Sequence, residues 1–229
     1  MILIDEYDCA VSTTIEAGLR KKIVAFLTRF LYACIKGNRN KQMAFITGTM
    51  HFAHESIPSV ENDIFSEKYT DRFGFTEEEV RAALEAFESS DKLDIVKEWC
   101  GGYRFGNADV YNPFSIMMYV LNDFKTDRYW TVAGPEMAIE QLLDTGDDRN
   151  LEQILPLMNG GEISSKLKAT SSFSDIGRDR NALYSIMTAS GYLRAVPCDD
   201  DTFCISIPNM EIEGLLDKLL KEENKTPTA

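Results

Sequence analysis

The residues best suited to chemistry stand at the start of the chain: Asp5 and Glu6, directly after the apolar run Met1-Ile2-Leu3-Ile4 and followed by Tyr7-Asp8. An apolar run that stops at two carboxylates is the pattern of a buried parallel strand delivering acids to its C-terminal end, where α/β sheets bind ligands. In that geometry Asp5 can hold Mg²⁺ through water, and Glu6 can polarise an attacking water. A strand that leaves a core and meets solvent gives the same pattern. Thr47 is the next candidate, because it closes the run Gln42-Met43-Ala44-Phe45-Ile46 before Gly48. If the two runs lie side by side, its hydroxyl sits next to Asp5 and Glu6 and can sense a phosphate; a threonine that merely caps a strand is the alternative. His51 and His54 follow at i and i+3 and read as loop surface residues. The five cysteines form no CxxC pair, and no zinc-ligand spacing occurs.

The elements that must position these groups are legible in outline. Between the two apolar runs, Ile15, Leu19, Ile23, Phe26, Leu27, Phe30, Leu31 and Cys34 recur at helical spacing, with Ser12-Thr13-Thr14 as N-cap hydroxyls and Gly37 as C-cap. Arg20, Lys21, Lys22 and Arg29 form a basic face on that helix. Strand, helix and strand within about fifty residues make a βαβ unit, whose crossover is right-handed. After a polar connection from Glu55 to Asp71, Thr76 with Glu79 predicts a capping box opening a helix through Phe87. Leu93, Val96 and Trp99 mark a short helix, and Trp99 to Gly106 then Val110 to Ser115 read as tight turns under aromatic rings. Helices are expected over 115–124, 135–143, 151–158, 180–190 and 211–221. A hairpin of Tyr192 to Val196 with Thr202 to Ile207 turns at Asp199-Asp200-Asp201. The fold class is therefore α/β plus mostly α, with residues 1–69 as the βαβ part and residues 70–229 as a helical, winged-helix-like part.

A net charge of −13 over 229 residues opposes a broad grip on nucleic acid or anionic lipid, and the three aspartates at the hairpin tip would repel phosphate. No apolar run approaches the roughly 20 residues of a membrane helix, so a cytoplasmic protein with reduced thiols is expected.

Together, Ile4-Asp5-Glu6-Tyr7-Asp8, Phe45-Ile46-Thr47-Gly48, Phe73-Gly74-Phe75-Thr76-Glu77-Glu78-Glu79-Val80, Gly102-Tyr103-Arg104-Phe105, Val110-Tyr111-Asn112-Pro113-Phe114-Ser115, Ser190-Gly191-Tyr192-Leu193 and Ile207-Pro208-Asn209 resemble the AAA-ATPase-like proteins of gut and oral bacteria. In these the ATPase region is often followed by a PD-(D/E)XK nuclease-like domain. The resemblance implies a P-loop NTPase core in which Asp5 and Glu6 are the Walker B pair and Thr47 holds the sensor position, with ATP and Mg²⁺ as ligands. Arg104 in the helical region is a further candidate, as a phosphate-sensing arginine, against which stands an arginine packed among aromatics. The Walker A spacing GxxxxGK[ST] occurs nowhere in the chain, and His51 stands where the family usually has a basic residue. The expectation is a truncated ATPase with little activity alone, whose bare strand edges are covered by a missing N-terminal segment or a protein partner. A non-enzymatic helical interaction module is the alternative. A nuclease metal site of Asp5, Glu6 and Asp8 would lack the downstream lysine and second acidic strand it needs.

Overall fold

The computed structural model describes residues 1–12, 14, 16–36, 38–48, 64–132, 143, 149–169, 171, 175–176 and 178–223, and over these the chain is mixed α and β with small sheets. Strands β1 (Ile2–Ile4) and β2 (Ala44–Ile46) pair in parallel, with Leu3 opposite Phe45 and Ile4 opposite Ile46. The side chains of Leu3 and Phe45 share one face of this pair and both are exposed, while Ile2, Ile4, Ala44 and Ile46 are half-buried. Among the described residues β1 and β2 form a sheet of two.

The connection departs from the expected single helix. A short helix α1 (Cys9–Ser12) follows the acids, and α2 (Ala17–Leu31) continues into a wider π-helical turn, Tyr32–Lys36. Ser12 ends α1, the Thr14 hydroxyl donates back to the Ala10 carbonyl at 2.6 Å, and α2 starts at Glu16 with no side-chain cap. Thr14 therefore serves the end of the first helix and not the start of the second. Thr13, Ile15 and Gly37 lie outside the described residues.

The remaining elements build two apolar cores. Helix α3 (Glu77–Ala86) opens with the expected capping box of Thr76 and Glu79 and packs Val80 and Leu84 with α4 (Leu93–Cys100) and α5 (Pro113–Leu121). Between α4 and α5 the segment read as tight turns is an antiparallel hairpin, β3 (Tyr103–Phe105) and β4 (Ala108–Val110), turning at Gly106-Asn107. The second core gathers Ile154 and Leu157 of α7 (Arg149–Met158), Leu183, Ile186 and Met187 of α8 (Arg180–Ala189), and Leu215, Leu216 and Leu219 of α9 (Met210–Glu223). It is covered by a three-stranded antiparallel sheet, β5 (Ile163–Ser165), β6 (Arg194–Asp199) and β7 (Thr202–Ser206), in the order β5-β7-β6. A short helix α6 (Tyr129–Val132) precedes this region. Every residue of both cores lies at or beyond Phe75.

Candidate functional site

The parallel register of β1 and β2 brings Asp5, Glu6 and Thr47 together, the side-by-side arrangement on which the sequence reading of Thr47 depended. The Thr47 amide donates to the Ile4 carbonyl at 2.9 Å, and the Tyr7 amide donates to the Thr47 carbonyl at 3.0 Å, extending the ladder past the strand ends. The Thr47 hydroxyl donates to Asp5 Oδ1 and accepts the Glu6 amide at 3.1 Å. One side chain thus orients the first carboxylate and holds the backbone that carries the second.

That backbone is strained. Glu6 adopts φ +48°, a left-handed conformation that costs a residue with a Cβ about 1–2 kcal/mol. It persists because its amide is held by Thr47, the next amide by the Thr47 carbonyl, and its own carbonyl by the Cys9 amide at 2.9 Å. The bend turns the chain sharply out of β1 and leaves both Asp5 and Glu6 exposed. Behind them Asp8 is buried and Tyr7 is half-buried; burial, then the charge of Asp8, pushes the Tyr7 phenol above its ordinary value. Gly48 is fixed by this packing, since a Cβ there would strike the Tyr7 ring and the Asp8 carboxylate.

Arg104 is not brought to this set. It lies on β3, where Nη1 pairs with Asp109 Oδ2 at 3.1 Å across the hairpin, and Arg194 of β6 reaches the other oxygen of Asp109 at 3.5 Å. Its bonds go to Asp109, while its Nε is buried without a hydrogen bond. His51 and His54 lie outside the described residues.

Comparison with protein-family models, with curated proteins and with solved structures returned no match. The site therefore has to be judged on its own chemistry. Hard oxygen donors, two exposed carboxylates and a hydroxyl, suit Mg²⁺, which binds through one or two carboxylates and keeps several waters. Among the described residues no three His, Cys, Asp or Glu converge to enclose a metal directly. A triphosphate does not fit these residues alone: its β- and γ-phosphates need a cradle of backbone amides and a lysine, and the sequence has no such loop.

The polar cluster that sequence reading missed is at Glu211. Expected only as the start of the last helix, it is 2% exposed; Oε1 accepts the amides of Trp130 at 2.5 Å and Thr131 at 3.1 Å, and Oε2 accepts the Ser115 hydroxyl at 2.6 Å. Burial raises its pKa above the ordinary carboxylate value, partly offset by these donors. The preceding Asn209 caps α9, accepting the Ile212 amide at 3.1 Å and donating to the Gly101 carbonyl at 2.7 Å. Both residues tie α9 to α4–α6 and carry structure, not reaction chemistry. Among the described residues no helix is long and apolar enough to cross a membrane.

Proposed function

We propose that residues 1–48 carry the Walker B and sensor half of an ATP site in an AAA-like ATPase, with Asp5 placed to hold Mg²⁺ through water, Glu6 to accept a proton from water, and Thr47 to fix both. The observation that carries this proposal is the Thr47 hydroxyl, bonded at once to the Asp5 carboxylate and the Glu6 amide at the ends of two parallel strands. Mg²⁺ would supply charge neutralisation for a phosphate. The phosphate cradle would come from a P-loop segment outside this sequence, so hydrolysis by these 229 residues alone is expected to be negligible.

Residues 149–206 are proposed to form a winged-helix-like region. The support is the strand order β5-β7-β6 with α8 running between β5 and β6. Its hairpin tip carries Asp199, Asp200 and Asp201, with Lys166 paired to Asp201 at 3.1 Å, a charge pattern that favours protein over nucleic acid as the neighbour.

The test is amide exchange over β1 and β2 with and without Mg-ATP, alone and after adding a synthetic strand-helix segment bearing a P-loop. Ligand at about one hundred times Kd adds roughly 2.7 kcal/mol to the bound state, slowing these amides about a hundredfold. Protection that Asp5→Ala removes, with hydrolysis that Glu6→Gln abolishes, is the expected result. Absence of protection in both arms overturns the assignment.

A second reading rests on a separate observation, that both cores lie wholly at or beyond Phe75. On that reading residues 70–229 are a non-enzymatic interaction module. Limited proteolysis that leaves a stable fragment beginning near Thr70 supports it, and cooperative digestion of the whole chain counts against it.

A further inference from the structure

Among the described residues nothing covers a second apolar face of helix α2. Its buried side carries Leu31 and Ile35, with Val24 and Leu27 half-buried. On another face Leu19, Ile23, Phe26 and Phe30 follow at intervals of four, three and four, the spacing of a coiled-coil seam. Phe26 is 66% exposed, Phe30 47% and Leu19 46%, and the two phenyl rings stack with centroids 6.1 Å apart and planes 13° from parallel. From Leu19 to Phe30 the stripe runs about 16 Å, three turns of helix.

One edge of this stripe is basic. Lys22 and Arg29 lie four residues before and three after Phe26, so both flank its ring, and both are exposed. Among the described residues neither makes an ion pair, while Arg20 Nε donates to the Thr14 backbone carbonyl at 2.8 Å. The span Ala17–Lys36 holds five cations and no acid, in a chain whose net charge is −13.

We propose that this face of α2 is a docking surface for an acidic amphipathic helix of a partner protein, with apolar side chains packing between Leu19, Phe26 and Phe30 and carboxylates opposite Lys22 and Arg29. The heptad spacing selects a helix as the occupant, and the unpaired cations beside the rings select its charge. A second copy packed antiparallel would set Lys22 against Arg29, like charge against like. An anionic membrane is an extended surface that would meet the acidic remainder of the chain as well as this face, whereas a single helix need meet this face alone. The proposal is independent of the nucleotide site, which uses none of these residues.

The test uses the full chain and two fluorescent 21-residue helical peptides with the same leucine and isoleucine seam, one flanked by glutamates and one by lysines. The acidic peptide is expected to bind, more weakly as salt rises, and the basic one to bind at least about tenfold less tightly. The exposed substitutions Phe26→Ala with Phe30→Ala should cost about tenfold or more in affinity while leaving the circular dichroism unchanged. The charge swap Lys22→Glu with Arg29→Glu should reverse the preference, so that the basic peptide binds better. Equal binding of both peptides, binding of neither, or retention of the original preference after the swap overturns the proposal. So does self-association in sedimentation without peptide that the phenylalanine pair abolishes, or tighter capture by phosphatidylserine vesicles than by the acidic peptide.

Discussion

Replacing Glu211 tests whether the junction of α5, α6 and α9 is held by a buried acceptor or by a charge. In Glu211→Ala three donors lose their acceptor. The Ser115 hydroxyl and the Thr131 amide belong to residues 0% and 1% exposed and cannot turn to solvent, whereas the half-buried Trp130 amide can reach water. A stranded buried donor costs about 1–3 kcal/mol, so the two together should cost about 2–6 kcal/mol. In a chain of this size that lowers Tm by roughly 4–24 °C. Glu211→Gln keeps an acceptor for the two amides and offers its own N–H to Ser115, so it should cost about 1 kcal/mol or less. Wild type and Glu211→Gln also separate in pH. The folded-state pKa of Glu211 is raised, so between the ordinary value of 4.5 and the raised one the folded chain binds more protons than the unfolded chain. The wild type should lose this increment of stability as pH climbs through that window, and Glu211→Gln should not. Urea unfolding followed by tryptophan fluorescence at several pH values reads all three quantities. A Glu211→Ala variant within about 1 kcal/mol of wild type at unchanged m-value refutes the stranded-donor account, and equal losses in both variants refute the distinction between them.

Two further predictions also concern the region beyond Phe75. At Gly102, φ is +85° and a Cβ would land on the Pro208 carbonyl oxygen, so Gly102→Ala should cost at least about 3 kcal/mol, whereas Gly160→Ala, at φ +74° with open space around it, should cost only about 1 kcal/mol by thermal or urea unfolding. Glu77 is held down to about 2 by its hydrogen bonds to Lys97 at 2.9 Å and Arg81 at 2.6 Å. Its stabilising effect is complete above 4.5 and fades as pH falls toward 2, so Glu77→Gln should flatten the acid limb of the Tm-against-pH curve; an unchanged limb would disprove the coupling.

What was legible in the sequence was local or periodic. The capping box at Thr76 and Glu79 is a four-residue pattern, and the placement of Thr47 beside Asp5 required only that two apolar runs flanking a helix pair in parallel as neighbours. The β3–β4 hairpin was missed although Gly106-Asn107 between two short runs is a turn signal, because the surrounding glycines and aromatics suggested tight turns. Strand β5 is three residues of a Ser/Lys-rich stretch, and its extended form comes from pairing with β7 about forty residues later, which no local propensity encodes. The burial of Glu211 is illegible for the same reason: its partners lie 80 to 96 residues away. At the candidate site the juxtaposition could be read, but the left-handed backbone of Glu6 could not, since nothing about a glutamate announces positive φ.

The division of the apolar cores also governs what an optical experiment can see. The only two tryptophans, Trp99 and Trp130, pack against the cores built beyond Phe75, and the first 48 residues contain none. A melting curve followed by intrinsic fluorescence therefore reports the half of the molecule without the carboxylates, and would stay flat to a ligand that tightens only the strands bearing Asp5 and Thr47. Phe45, exposed on β2 beside Leu3, is the place to install a reporter, because Phe45→Trp would put an indole next to the site while removing no buried contact.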